Sequence, residues 1–138
     1  MSGQGTATPG PMRRIALLGV GMIGGSVAAA CRARGLAAEV VGYTPGPDAA
    51  QAVTLGWLDG ACPSVSQAVR GADLVVLAAP ISAQPALFGE LAPHLEPQAL
   101  VTDCASTKSS TVAAARAQLG ALMSRYVPAH PIAGSERH

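Results

Sequence analysis

The chain carries the stretch Gly19-Val20-Gly21-Met22-Ile23-Gly24 directly after the apolar run Ile15-Ala16-Leu17-Leu18. The segment that follows, Ser26 to Arg34, is rich in alanine, which favours a helix. The predicted order is therefore strand, glycine-rich turn and helix. This order is typical of the turn that binds the phosphates of a dinucleotide. A turn with a purely structural role is the alternative, because glycine-rich turns are common.

The glycines of this turn have separate predicted roles. Gly19 permits a tight turn out of the strand, Gly21 leaves room for a pyrophosphate beside the backbone, and Gly24 lets the helix pack closely on the sheet. Met22 and Ile23 complete the predicted cofactor-binding loop. The first N–H groups of the helix and its partial positive charge would then face the phosphates.

Composition narrows the class of protein. The chain has 138 residues, which suits one domain. With 49% hydrophobic but only 3% aromatic residues, its core has to be built from Ala, Val and Leu.

The net charge is +1 with no basic run, so neither nucleic acid nor a membrane surface is a predicted partner. No apolar run approaches the roughly 20 residues of a membrane span. The three cysteines lack CxxC spacing, so we predict reduced thiols, a cytoplasmic location and no metal site.

The rest of the chain alternates strand and helix signals. Residues 1–12 are rich in Gly, Thr and Pro and are predicted to be a disordered lead-in, and residues 13–138 to form one dinucleotide-binding domain. Strands are predicted at Arg13–Gly19, Glu39–Tyr43, Leu74–Ala78, Leu100–Asp103 and Arg125–Ala129. Helices are predicted at Met22–Arg34, Asp48–Leu55, Ser64–Val69 (capped by Ser64), Ser82–His94 (with Pro85 in its first turn) and from Ser106 or Thr107 to about Leu119, and 56–63 is predicted to be mostly loop. The alternation predicts an α/β fold with a doubly wound parallel sheet of the Rossmann type.

Polar and turn-forming residues follow several predicted strands. Thr44 ends the second strand, Pro80 the third, Asp103–Lys108 the fourth, and His130 the last. Because the carboxyl ends of parallel strands meet at one edge of the sheet, these residues predict a ligand site there.

The residue predicted to face the cofactor's ribose is Thr44, about 20 residues past the third glycine. A carboxylate at this position would repel the 2′-phosphate of NADP, and none is present. No arginine adjoins Thr44 to bind that phosphate either. The cofactor is therefore predicted to be NAD or NADP, with acceptance of NADP slightly favoured.

Two later segments are more specific than the glycine turn: Asp103-Cys104-Ala105-Ser106-Thr107-Lys108 and His130-Pro131-Ile132-Ala133-Gly134-Ser135-Glu136. Together with Gly19–Ser26 and the apolar strand that leads into Pro80, they resemble the nucleotide-binding domain of the prephenate/arogenate dehydrogenases. The similarity runs from about Arg13 to Glu136. It implies NAD(P)-dependent oxidative decarboxylation of prephenate or arogenate, a step of tyrosine biosynthesis.

The resemblance also implies roles for single residues. His130 is similar to the family's catalytic histidine, which accepts a hydrogen bond from the substrate's ring hydroxyl and takes its proton as hydride leaves. Ser106 is similar to the serine that orients this histidine and the substrate. Gly134 and Ser135 would lie in the loop beside the substrate, and Pro80 would border the cofactor cleft.

The residues themselves also allow simpler interpretations. A histidine with a pKa near neutrality suits the removal of a proton from a secondary alcohol, and the flanking Pro-Ile-Ala-Gly favours this role for His130 over a structural one. Ser106 could serve only as a helix cap. Lys108 could bind a ligand or be solvated at the helix start, and Asp103 could hold the following turn by hydrogen bonds.

Members of the family carry a C-terminal helical domain, for which this chain has no room. That domain mediates dimerisation and completes the substrate pocket. A longer parent protein that contains both this chain and such a domain is therefore expected to be a homodimer. The chain alone is expected to bind NAD(P) and to turn over its substrate weakly or not at all. The alternatives are a non-catalytic NAD(P)-binding module and a dehydrogenase of the β-hydroxyacid type, which would use a lysine on a later helix. The sequence does not distinguish prephenate from arogenate as the substrate.

Overall fold

The computed structural model describes residues 11–104 and 108–129. The strands are β1 (Met12–Leu18), β2 (Ala37–Tyr43), β3 (Gly60–Ala61), β4 (Leu74–Leu77), β5 (Leu100–Asp103) and β6 (Tyr126–Val127). The α-helices are α1 (Met22–Ala33), α2 (Asp48–Thr54), α3 (Val65–Val69), α4 (Gln84–Leu91) and α5 (Lys108–Leu119). Short 3₁₀ segments cover Ile81–Ala83, Ala92–His94 and Gly120–Arg125.

The six strands form one sheet in the order β3-β2-β1-β4-β5-β6, and every neighbouring pair is parallel. Leu18 of β1 lies opposite both Tyr43 and Leu77, and Leu77 lies opposite Asp103. Four strands therefore end at the same level. The strand order reverses between β1 and β4, and ligands of such sheets bind in the crevice at this switch point.

Both faces of the sheet are buried under helices. Ala16 and Leu18 belong to one core cluster, which includes Phe88 of α4. Ile15 and Leu17 belong to the other, which includes Ala28 of α1. Because side chains alternate along a strand, this division explains why β1 is an uninterrupted apolar run. The predicted fold class, α/β with a doubly wound parallel sheet of the Rossmann type, is confirmed.

Several element boundaries differ from the predictions. Strand β1 begins at Met12, one residue early, where the Met12 N–H bonds to the carbonyl oxygen of Leu36. The helix predicted over Ser82–His94 is divided into a 3₁₀ turn, α4 and a second 3₁₀ turn that contains Pro93, which has no N–H to donate. The last strand is limited to Tyr126–Val127, because residue 125 ends a 3₁₀ segment.

The prediction of loop over residues 56–63 missed strand β3. Gly60 and Ala61 pair with Val41 and Gly42 of β2. The carboxylate of Asp59 accepts a hydrogen bond of 2.8 Å from the N–H of Val40, which aligns the short strand. Two small residues carry no strand pattern of their own, so this pairing depends on β2.

The predicted cap of α3 is confirmed. The hydroxyl of Ser64 accepts a hydrogen bond from the N–H of Gln67 and so caps α3. Trp57 lies against Gly25 of α1, where an added Cβ would come within 3.0 Å of the indole ring. No helix within the described ranges is long and apolar enough to span a membrane.

Candidate cofactor cleft

The glycine turn connects β1 to α1 in a conformation that requires glycine at its first position. Gly19 has a φ of 101°, a region that side chains rarely adopt, and an added Cβ would lie 2.6 Å from the backbone nitrogen of Ala79. Its N–H bonds to the carbonyl oxygen of Tyr43 at 2.8 Å. The turn is thereby fixed between the ends of β2 and β4.

Helix α1 packs tightly against this turn at Gly24. A Cβ on Gly24 would overlap the carbonyl oxygen of Gly19 and come within 3.2 Å of the side chain of Ala78. The close helix-to-sheet approach predicted for the third glycine is therefore present.

The second glycine faces open space. An added Cβ at Gly21 would meet no atom of the described residues within 4 Å, and the residue lies at the N-cap of α1 without a side-chain cap. As in any helix, the first N–H groups of α1 have no acceptor within the helix. The backbone at Gly21 is accessible and next to unpaired donors, as a bound pyrophosphate would need.

A cleft of about 570 Å³ opens above this turn. Its lining comes from the start of α1, the β2–α2 connection, the end of β4 and the end of β5: Val20, Gly21, Met22, Ile23, Thr44, Pro45, Asp48, Ala78, Ala79, Pro80, Ile81 and Cys104. The structure thus brings together five of the residues predicted to bind the cofactor, namely Gly21, Met22, Ile23, Thr44 and Pro80. Gly19 and Gly24 are not in this lining and instead shape the turn beneath it.

A second cavity of about 430 Å³ adjoins the cleft and shares Pro45, Ala79 and Pro80 with it. Gly19, Tyr43 and residues of α4, including Leu87, complete its lining. The cavity is mostly apolar, with Glu90 as its charged residue.

Three exposed apolar side chains line the cleft. Met22 is 89% exposed and Ile23 is 50% exposed, although both are large hydrophobic residues. Ile81 is also exposed and belongs to the same lining. Exposed apolar residues that line a concave surface favour a ligand with flat apolar parts.

Sequence analysis missed Asp48 as a cleft residue. Its sequence context predicts only the start of a helix, and the usual spacing for a ribose-binding acid leads to Thr44 instead. A useful signal would have been any acid within one turn after Thr44. Cys104 belongs to the segment Asp103–Lys108 that is predicted to lie at the ligand site, but its residue type predicts no role of its own.

The edge of the sheet beyond β4 is held by a buried polar contact. Asp103, 1% exposed at the end of β5, accepts a 2.7 Å hydrogen bond from the hydroxyl of Tyr126 and a 3.4 Å hydrogen bond from the N–H of Ala129. Burial raises the pKa of the Tyr126 hydroxyl, and the hydrogen bond to Asp103 and its negative charge raise that pKa further. Asp103 is predicted to hold the turn after β5 by hydrogen bonds. In the structure it also bonds to Tyr126 of β6 and to the backbone of Ala129, just before position 130.

The residues predicted to carry the reaction lie outside the described part of the chain. These are His130, Ser106, Gly134 and Ser135, and their roles stay predictions. Lys108 begins α5. Across residues 11–104 and 108–129, no group of three or more His, Cys, Asp or Glu residues is arranged to hold a metal ion.

The parallel strand order, the glycine turn and the cleft at the switch point define a nucleotide-binding domain of the Rossmann type. Comparison with known proteins narrows this class. The family profile described as "Prephenate dehydrogenase, nucleotide-binding domain" matches residues 27–138. The chain belongs to this family.

Individual relatives agree with this assignment. The chain is 33% identical over 129 residues to the cyclohexadienyl dehydrogenase of Zymomonas mobilis, covering 91% of this chain and 43% of that one. It is 35% identical over 127 residues to the prephenate dehydrogenase of Bacillus subtilis, covering 89% of this chain and 33% of that one. The chain therefore spans less than half the length of these curated relatives.

A solved structure shows the same architecture. The prephenate dehydrogenase of A. aeolicus, in complex with hydroxyphenyl propionate and NAD+, superposes with a TM-score of 0.78 at 32% identity. The match covers 91% of this chain and 44% of that chain. A diketoreductase at 20% identity shares the fold alone.

The contact between Tyr126 and Asp103 yields a prediction about stability. Tyr126→Phe leaves the buried carboxylate without one donor, so the free energy of unfolding should fall by about 2 kcal/mol at neutral pH. In the unfolded chain tyrosine ionises at its ordinary pKa of about 10, whereas the raised pKa in the folded chain keeps Tyr126 protonated. The contribution of this hydroxyl is therefore complete below about pH 10 and is lost as the pH rises further. Urea unfolding of both chains from about pH 7 to about pH 11 measures this loss.

Tyr43→Phe is the matched control, because it removes the hydroxyl of a half-buried tyrosine for which no hydrogen bond is found among the described residues. It should leave the pH dependence of the wild-type chain unchanged. A Tyr126→Phe chain as stable as wild type at pH 7 would contradict the role given to this hydrogen bond.

Proposed function

We propose that the cleft above Gly21 binds NAD(P) and that the chain is the cofactor-binding part of a prephenate or arogenate dehydrogenase. The observation that carries this proposal is the open space at Gly21, directly beside the free N–H groups of α1 and at the switch point between β1 and β4. Membership of the family supports it. The NAD+ complex of the A. aeolicus relative supports it further.

The lining residues suggest where each part of the cofactor would lie in the cleft. The N–H groups of Gly21, Met22 and Ile23 would hold the pyrophosphate. The residues after β2, with Thr44 first, would face the adenosine ribose. The adjoining cavity of about 430 Å³ is apolar enough for the adenine ring. The end of β4 at Pro80 would border the rest of the cofactor.

The choice between NAD and NADP has two opposing features. Position 44 is a threonine and not an acid, which favours acceptance of NADP, as the sequence alone predicted. The presence of Asp48 in the same cleft works against the 2′-phosphate.

For the reaction we propose oxidative decarboxylation of prephenate or arogenate. When bound, the nicotinamide supplies the hydride acceptor. His130 would accept the proton of the ring hydroxyl, and Ser106 would orient His130 and the substrate. Gly134 and Ser135 would lie beside the substrate. Loss of CO2 makes the ring aromatic, so the protein has mainly to position the reactants and to take up one proton.

The oligomeric state is proposed from the family, and the cellular location from the cysteines. We expect a longer parent protein to be a homodimer that works in the cytoplasm, where the thiols of Cys31, Cys62 and Cys104, none of them in a disulfide, would stay reduced. The chain spans about 44% of the A. aeolicus protein, so the substrate pocket would be completed by residues outside it. A non-catalytic NAD(P)-binding module is the second candidate for the chain by itself.

Cofactor binding is tested by filling the space at Gly21. Because φ at Gly21 is negative and an added Cβ would meet no described atom within 4 Å, Gly21→Val should leave folding intact while its side chain blocks the pyrophosphate. We expect NADH to bind at least tenfold more weakly, which corresponds to about 1.4 kcal/mol. A fluorescence titration with NADH measures the dissociation constant, and urea unfolding checks the fold.

Ala30→Val provides the matched control, since it adds valine bulk to an exposed position of the same helix, away from the cleft. Its NADH binding should equal that of wild type. Undiminished binding by Gly21→Val would contradict the placement of the cofactor in this cleft.

The catalytic half of the proposal needs a separate assay. The purified chain should bind NADH yet oxidise prephenate weakly or not at all. Any measurable turnover should be abolished by His130→Ala and kept by His94→Ala, with NADH binding unchanged in both. Robust turnover by the chain alone, or turnover that survives His130→Ala, would contradict the assignment.

A further inference from the structure

The cleft contains a carboxylate that the usual motif spacing does not place there. Asp48 is the first residue of α2, four positions after Thr44, and it lines the cleft together with Thr44 and Pro45. Its side chain is exposed. Among the described residues, none forms a salt bridge or a hydrogen bond with this carboxylate. The acid is therefore available to a ligand.

No positive charge balances Asp48 within the cleft. Its described lining holds neither arginine nor lysine. Three arginines pair with other acids: Arg13 with Asp73, Arg14 with Glu39 and Arg32 with Asp59. A doubly charged phosphate placed near Thr44 would thus meet a carboxylate without a compensating cation.

The hydroxyl of Thr44 is already used within the connection between β2 and α2. It donates a hydrogen bond of 3.1 Å to the carbonyl oxygen of Gly46, within the turn that leads to Asp48. Thr44 is the residue at the spacing where an acid would normally bind the ribose. In this chain the carboxylate of the cleft lining belongs to Asp48, four positions further along the chain.

From this arrangement we propose that Asp48 makes the cleft selective for NAD over NADP. Its carboxylate accepts a hydrogen bond from a hydroxyl of the adenosine ribose and repels the 2′-phosphate. The inference rests on the proposed function of the cleft. It reverses the slight preference for NADP that Thr44 alone suggested, because that preference assumed a ribose site without an acid.

The test compares NADH and NADPH on the same chain by fluorescence titration. Wild type should bind NADH at least about tenfold more tightly than NADPH, as one unfavourable charge contact in a partly exposed site would produce. Asp48→Asn keeps the size of the side chain and removes its charge. It should reduce this ratio at least about fivefold, mainly by tighter NADPH binding, and the change should shrink at high salt.

Glu39→Gln is the control variant, because it removes one negative charge near the start of β2, at the opposite end of the strand from the cleft. It should leave the NADPH to NADH ratio unchanged. An unchanged ratio in Asp48→Asn, or an equal change in Glu39→Gln, would overturn the role of Asp48 while the cleft assignment stands. Failure of wild type to bind either cofactor would instead overturn both proposals.

Discussion

Helix α1 comes so close to the end of β1 that a methyl group at Gly24 would overlap the carbonyl oxygen of Gly19. This contact depends on two residues without side chains, one in the turn and one in the helix. It sets α1 directly over the sheet, with its unpaired N–H groups at the edge where β1, β2 and β4 end. The accessible backbone at Gly21 follows from the same arrangement. The cleft is therefore a consequence of how tightly a helix packs on a strand end.

Much of this could be predicted from the sequence, because the signals are local. The apolar run of β1, the glycine turn and the Ser64 cap each depend on residues within a few positions of one another. The doubly wound sheet follows from the alternation of such elements. Strand β3 could not be predicted in this way. Its two residues become a strand only through their pairing with Val41 and Gly42, each 19 positions before its partner.

The candidate site was predictable to a similar extent. Gly21, Met22, Ile23, Thr44 and Pro80 meet in one cleft because motif spacing encodes the turn and the strand ends. Asp48 was missed because its position depends on the turn that Thr44 and Gly46 form, which no fixed spacing describes. The contact of Asp103 with Tyr126 was also beyond the sequence, since it joins two strands 23 residues apart. This contact ties β6 to β5, and the N–H of Ala129, which follows β6, also bonds to Asp103.

The central claim is that a dinucleotide occupies the cleft above the glycine turn. A two-dimensional ¹H–¹⁵N NMR titration of the isotope-labelled chain with NAD+ tests it most directly, because it reports every backbone amide at once. We expect saturable shifts that are largest at Gly21, Met22, Ile23 and Thr44 and at Ala79, with little change at residues 71–73, which precede β4 at the opposite edge of the sheet. Shifts absent at saturating NAD+, or centred on the far side of the sheet, would contradict it.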